Sequence, residues 1–271
     1  MTSLPTSGAA LVTGASSGIG REIARELARR GHDVVLVARS ADKLAELAAE
    51  LTASGVRAEA LATDLADRAA RAALPQRVSD LGLDVTILVN NAGLSTLGLI
   101  AESDPEDEMT MVEVDVVAVV DLCSRFLPGM VARRSGAVLN VASTAAFQPL
   151  PGQAGYGAGK VFVLSYTQSL AAELKGTGVT ATTLCPGPVD TGFGETAGFS
   201  KEEAEAALPS VMWVSAADVA RAAVEGMAKG RLVVIPGAVN RVAAAISQVT
   251  PRTLLLPMLA KSHPALKRRA R

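Results

Sequence analysis

The chain has 271 residues, 49% hydrophobic but only 3% aromatic, with a net charge of −1. That suffices for one large α/β domain with a core of Ala, Val and Leu, and the near-neutral balance excludes a general nucleic-acid binder. The two cysteines (Cys123, Cys185) and two histidines (His32, His263) have no metal-ligand spacing, so neither zinc, any other metal, nor a disulfide framework is expected.

Residues Met1 to Gly8 carry no basic side chain and no long apolar run, so no export signal is expected. No stretch approaches the ~18 apolar residues of a membrane span, and a reducing, cytoplasmic setting is expected. The first strand, Ala9–Thr13, runs into Gly14-Ala15-Ser16-Ser17-Gly18-Ile19-Gly20 and then a helix from Arg21 to Arg30 that Gly31 ends. Glycines there allow a sharp turn and let a pyrophosphate approach free N–H groups at the helix N-terminus. A plain structural turn is the alternative. Further strands are expected at Asp33–Ala38, Arg57–Ala62, Val85–Asn90, Ala137–Ala142, Val179–Cys185 and Leu232–Ile235. Continuous apolar runs such as Val34-Val35-Leu36-Val37 suit strands covered on both faces, which predicts a doubly wound parallel sheet of about seven strands with helices on both sides.

The strongest chemical signal comes later in the chain. Tyr156 and Lys160 stand four residues apart, so on a helix they share a face, and Ser143 lies thirteen residues before the tyrosine. A phenol titrates near pH ~10. An adjacent ammonium is expected to lower that value and make Tyr156 a general acid/base, with Ser143 polarising a carbonyl or alcohol oxygen. A cap or turn is the other reading for Ser143.

Thr13-Gly14-x-x-x-Gly18-Ile19-Gly20, Asn90-Asn91-Ala92-Gly93, Ser143, Tyr156-x-x-x-Lys160 and Pro186-Gly187 follow the order and spacing of the short-chain dehydrogenases/reductases. Over about residues 8 to 240 the chain resembles the compact, single-domain branch of that family. The resemblance implies a Rossmann-type domain, a nicotinamide cofactor and a small-molecule hydroxyl/carbonyl substrate. It also implies a homodimer or homotetramer built through the long helices Glu106–Arg133 and Tyr156–Lys175.

For the cofactor it implies a cradle of Gly14, Ser16, Ser17, Gly18, Ile19 and Gly20. Asp64 and Leu65 would lie at the adenine, Asp64 being equally readable as a helix N-cap. Asn90 would lie near the adenine ribose, with Ala92 and Gly93 keeping the backbone close. Pro186 and Gly187 would shape the next loop, where the Val189 backbone and Thr191 hydroxyl hold the carboxamide. Tyr156 and Lys160 would also touch the nicotinamide ribose. Strand two ends at Ala38, with no acid to take a ribose 2′-OH, and Arg39 follows; this favours NADP(H), the guanidinium pairing with the 2′-phosphate, helped by Ser16, Ser17 and Ser40.

One position departs from the family. Where a catalytic asparagine is usual, this chain has Asp115. An ionised carboxylate accepts but does not donate hydrogen bonds, and its charge favours the Lys160 ammonium while opposing a Tyr156 phenolate.

Domain organisation is read as a catalytic domain over 1–240, with a substrate lid at about 190–213, and a C-terminal extension over 241–271. Phe193, Phe199, Met212 and Trp213 in the lid, facing Phe147 and Leu150, suggest an apolar substrate. The leading expectation is an NADP(H)-dependent oxidoreductase. A 3-oxoacyl-thioester reductase and a non-catalytic NADP-binding regulatory protein are the alternatives. From Gly226 to Arg271 there are nine basic residues and no acidic one, against 17 basic and 27 acidic before it. Apolar runs in that segment permit contact with a membrane surface, although Pro251 and Pro257 are expected to break any helix there.

Overall fold

In the computed structural model, residues 4–196, 208–262 and 266 are described. All seven expected strands form: β1 (Ala9–Thr13), β2 (Asp33–Ala38), β3 (Ala58–Ala62), β4 (Val85–Asn90), β5 (Gly136–Val141), β6 (Val179–Leu184) and β7 (Val233–Val234). They pair in parallel in the order β3-β2-β1-β4-β5-β6-β7. β7 keeps only Val233 and Val234 of its four expected residues, and beyond Ile235 the ladder cannot continue because Pro236 has no N–H to donate. The order reverses between β1 and β4, which opens a crevice at the carboxyl ends of the strands.

Alternation along each strand divides the core. Ala9 and Leu11 of β1 and Val35 and Val37 of β2 face one layer, while Ala10, Val12, Val34 and Leu36 face the other. Helices α1 (Gly18–Arg29) and α2 (Ala41–Ala53) cover the second layer. The first is covered by α3 (Arg68–Asp80) and by a long helical run made of α4 (Pro105–Val112), a π turn and α5 (Ala118–Ala132). Helix α6 (Ala154–Glu173) joins that first layer. After the short α7 (Phe193–Thr196), α8 (Ala216–Ala228) returns to the second, and α9 (Ala238–Val249) and α10 (Arg252–Ser262) follow.

Three local readings are corrected. The long helix expected over Glu106–Arg133 starts at Pro105, on an Asp104 cap, and is interrupted by a π turn at Glu113–Val117. Fully buried Arg71 pins this turn, pairing with Glu113 and Asp121 and donating to the Leu65 carbonyl. Asp64 does not cap the following helix. Its carboxylate closes a turn on the Ala66 amide at 2.9 Å, and the cap is Asp67, which accepts from Ala69 and Ala70 at 2.7 and 3.1 Å. Pro251 does separate α9 from α10, but Pro257 sits inside α10 without ending it. The bond it forgoes would reach the Thr253 carbonyl, close to the helix start, so only one bond is lost.

Candidate active site

The turn after β1 is shaped by two left-handed glycines, Gly14 (φ +66°) and Gly18 (φ +53°). A Cβ on Gly20 would collide with the Gly14 carbonyl and with Asn91 Nδ2, so the turn's own backbone and the Asn91 side chain leave no room for one here. At the start of α1, Ser17 makes no capping hydrogen bond and no acid stands in the first turn. The leading N–H groups therefore lack a side-chain acceptor, and the dipole favours an anion. These residues fit a dinucleotide pyrophosphate. Thr191 reaches over the same turn: a Cβ on Gly18 would meet its Cβ at 3.0 Å.

Arg39, just past β2, is exposed and has no hydrogen-bond or ion-pair partner among the described residues. Leu65 is buried in the core, so only its backbone can face a nucleotide. The expected role of Asn90 changes more. Its side chain is buried and donates to Asn140 Oδ1 at 2.8 Å, while Asn140 donates to Thr167 Oγ1 at 2.9 Å. Strand alternation turns it onto the sheet face that α5 and α6 cover, where Cys123 and the Asn140–Thr167 pair occupy its amide, so that amide is not offered to a ribose. The next residue does the positioning: Asn91 donates to the Thr13 carbonyl at 3.0 Å, and Thr13 Oγ1 accepts from the Asn91 and Ala92 amides at 2.9 and 3.0 Å.

Ser143 follows β5 and caps a 3₁₀ turn over Thr144–Phe147, its Oγ accepting from the Ala145 amide at 3.1 Å. The capping reading of the residue therefore holds, and accepting this bond leaves the hydroxyl proton available to donate. Lys160, on α6, is buried with its Nζ 5.4 Å from the Tyr156 ring centroid and donating to the Val141 carbonyl at 3.3 Å. Asp115, in the middle of the π turn, is also buried. Its Oδ2 lies 2.9 Å from Lys160 Nζ and has no other partner among the described residues, and its Oδ1 accepts from the Leu94 amide at 2.7 Å.

Burial works against each of these charges. It pushes the Asp115 carboxyl above the usual carboxylate range, against the pull of Lys160. It would push Lys160 down, but Asp115 and Tyr156 outweigh it and hold the ammonium above its ordinary value. Tyr156 does not come out lowered, as its neighbouring lysine led one to expect. Burial raises the phenol, Lys160 and the Ser143 hydroxyl pull it down, and Asp115 adds to the rise, leaving it above the ordinary value. The thiols take no part: both are buried, Cys123 pushed up to about 11 and Cys185 to about 12. Among the described residues no three His, Cys, Asp or Glu side chains gather as a metal site.

On the substrate side, the Phe193 ring lies 6.0 Å from the Tyr156 ring at 44°. Leu150 packs against α6 at Gly157, where a Cβ would meet its own at 3.0 Å. Phe147 does not form the opposite wall, being buried in the core with Ala142, Ala146 and Val163. Trp213 ends the short 3₁₀ turn Ser210–Met212 and makes no ring contact with Tyr156 among the described residues. Phe199 lies outside the described residues.

The short chain dehydrogenase family matches residues 8–202. The chain belongs to the short-chain dehydrogenases. A short chain dehydrogenase of Pseudocercospora fijiensis is 41% identical over 68% of this chain and 60% of its own length. A very-long-chain 3-oxoacyl-CoA reductase of Mycosarcoma maydis is 41% identical over 61% of this chain and 49% of its own. The chain thus spans about half to three-fifths of those two relatives. A short-chain dehydrogenase from Sphingobium yanoikuyae, solved with NADPH, superposes with a TM-score of 0.79 at 34% identity, covering 92% of this chain and 95% of that one. As a short-chain dehydrogenase this protein is an oxidoreductase of the CH–OH/C=O type with a site for a nicotinamide nucleotide.

Two positioning residues of this dehydrogenase were missed in the sequence. Thr13 was read as a strand end and as the first letter of the glycine motif, without the positioning role that its hydroxyl takes. Asn240 had no signal at all: buried at the start of α9, it donates to the Met212 and Pro236 carbonyls at 2.9 and 3.1 Å and fills the space beside Gly187.

Proposed function

We propose that the protein is an NADP(H)-dependent oxidoreductase that interconverts an apolar ketone and its secondary alcohol, with Tyr156 as general acid/base. The observation that carries this reading is the convergence of Ser143, Tyr156 and the buried Lys160 at the carboxyl edge of β5 and the head of α6. The nicotinamide nucleotide, when bound, supplies or takes up the hydride. Ser143 Oγ donates to the substrate oxygen and holds it. Tyr156 Oη, kept protonated by burial and by Asp115, delivers its proton to that oxygen in the reductive direction. Lys160 holds positive charge beneath the phenol, so the phenolate that remains is not left alone in an apolar cleft. Phe193 shields the ring and favours an apolar substrate.

Arg39 supports NADP(H) over NAD(H). Arg39→Ala is expected to lower kcat/KM for NADPH by roughly ten- to a hundredfold, the worth of a hydrogen bond to a charged group, and to leave NADH almost unchanged. Equal loss with both nucleotides in steady-state assays would remove the 2′-phosphate role.

Asp115→Asn is expected to keep turnover within about tenfold, or ~1.4 kcal/mol of barrier. Removing a carboxylate that raises Tyr156 lets the phenol ionise more easily. The acid limb of alcohol oxidation should therefore move to lower pH. A limb moving upward would show that Lys160 had lost its proton instead.

A 3-oxoacyl-thioester reductase is the second reading, favoured by the Mycosarcoma maydis relative. NADPH oxidation measured against apolar ketones and 3-oxoacyl thioesters separates the two; binding without turnover on either would favour a regulatory protein. We read the exposed Val161 and Phe162 of α6, with Phe162 stacked on Tyr166 at 5.8 Å, as the contact of a homo-oligomer. No helix among the described residues is long and apolar enough to cross a membrane. The setting we propose is cytoplasmic.

A further inference from the structure

Helix α9 is amphipathic the wrong way round. Asn240, Ala244 and Ser247 face the protein at 0%, 3% and 9% exposure, while Val242, Ile246 and Val249 face outward at 59%, 58% and 81%. With Val239 these outward residues follow the three-and-four spacing of a single helical stripe. Next along the chain, α10 exposes Leu254 and Met258. Aliphatic stripes of this kind mark a contact surface rather than a solvated one.

Charge selects what covers it. Residues 226–271 hold nine basic side chains and no acidic one. Of these, Arg241 on α9 and Arg252 and Lys261 on α10 lie within the two helices that carry the stripe. A second copy meeting this face symmetrically would bring two all-basic segments together. An anionic lipid surface instead offers acyl chains to the stripe and headgroup charge to Arg241 and Lys261, while Arg252 is turned to the protein, donating to the Phe147 and Ser247 carbonyls. We infer that α9 and α10 form a docking face for an anionic membrane surface.

The helix is braced to both flanks of the substrate side. Ser247 Oγ donates to Gln148 Oε1 at 2.9 Å beside the 3₁₀ turn that Ser143 caps, and Asn240 holds the Met212 carbonyl at the end of the lid. Docking would thus set the cleft beside the bilayer, where an apolar ketone partitions; this consequence, unlike the docking itself, rests on the substrate reading above.

The test is sedimentation of the full chain with vesicles of phosphatidylcholine alone and with about one-third phosphatidylglycerol. The wild type should pellet with the mixed vesicles and stay in solution with the neutral ones, and salt should release it. Val242→Gln/Ile246→Gln should reduce binding to mixed vesicles at least tenfold without changing the oligomeric state. Wild type remaining soluble beside mixed vesicles would overturn the inference, as would a double variant that still binds. A double variant that falls to a smaller oligomer would make the stripe a subunit contact. NADPH turnover on a water-soluble ketone, measured in parallel, reports on the catalytic reading independently.

Discussion

Tyr156→Phe should lower turnover by roughly 10²–10⁴-fold, the span usual for a positioned acid/base, and leave NADPH affinity within a few-fold. The substitution deletes one oxygen. The ring keeps its place 6.0 Å from Phe193 and the Lys160–Asp115 pair beneath it is untouched, so loss of rate reports loss of the proton donor and not of the fold. Single-turnover oxidation of NADPH, with a fluorescence titration of nucleotide binding alongside, makes the measurement. Turnover surviving in this variant would mean that another group, such as a water held by Ser143, protonates the substrate oxygen.

Lys160→Met should cost about 3–5 kcal/mol of stability as well as activity. The ammonium is the charged partner of a carboxylate that is only 2% exposed, and its removal leaves Asp115 with the Leu94 amide alone. For a domain of this size the loss corresponds to a fall in Tm of about 10 °C. Adding Asp115→Asn should restore more than half of it, because the double variant no longer buries an uncompensated charge. Thermal unfolding of both variants decides the matter: a single variant as stable as the wild type would show that the pair does nothing for the fold.

Where sequence revealed the site, it did so through backbone requirements. Gly14 and Gly18 announced a turn that only left-handed residues close, and the spacing of Tyr156 and Lys160 placed both on one side of a helix. What it hid were directions. Asn90 ends a strand at the right edge, yet alternation points its side chain inward, and nothing in the adjacent letters distinguishes it from Asn91. Phe147 follows Ser143 closely enough to suggest a wall, but a 3₁₀ turn swings it into the core. The π turn was equally invisible, since its cause, Arg71, looks like any solvated arginine of a helix until the fold encloses it. Asp115 was legible as a departure; that it would close directly onto Lys160 at 2.9 Å was not.

The Asn90–Asn140–Thr167 bridge has a meaning beyond the nucleotide edge. β4 and β5 are short apolar strands, and apolar contacts alone would tolerate their sliding past one another by two residues. Asn90 and Asn140 stand directly opposite in the observed pairing. A slide would strand two amide groups in hydrocarbon, at about 1–3 kcal/mol for each unpaired group. The two asparagines therefore act as an alignment key for the centre of the sheet, and because Ser143 lies just beyond β5 and the Asn91 loop just beyond β4, that key sets how far apart the serine and that loop stand.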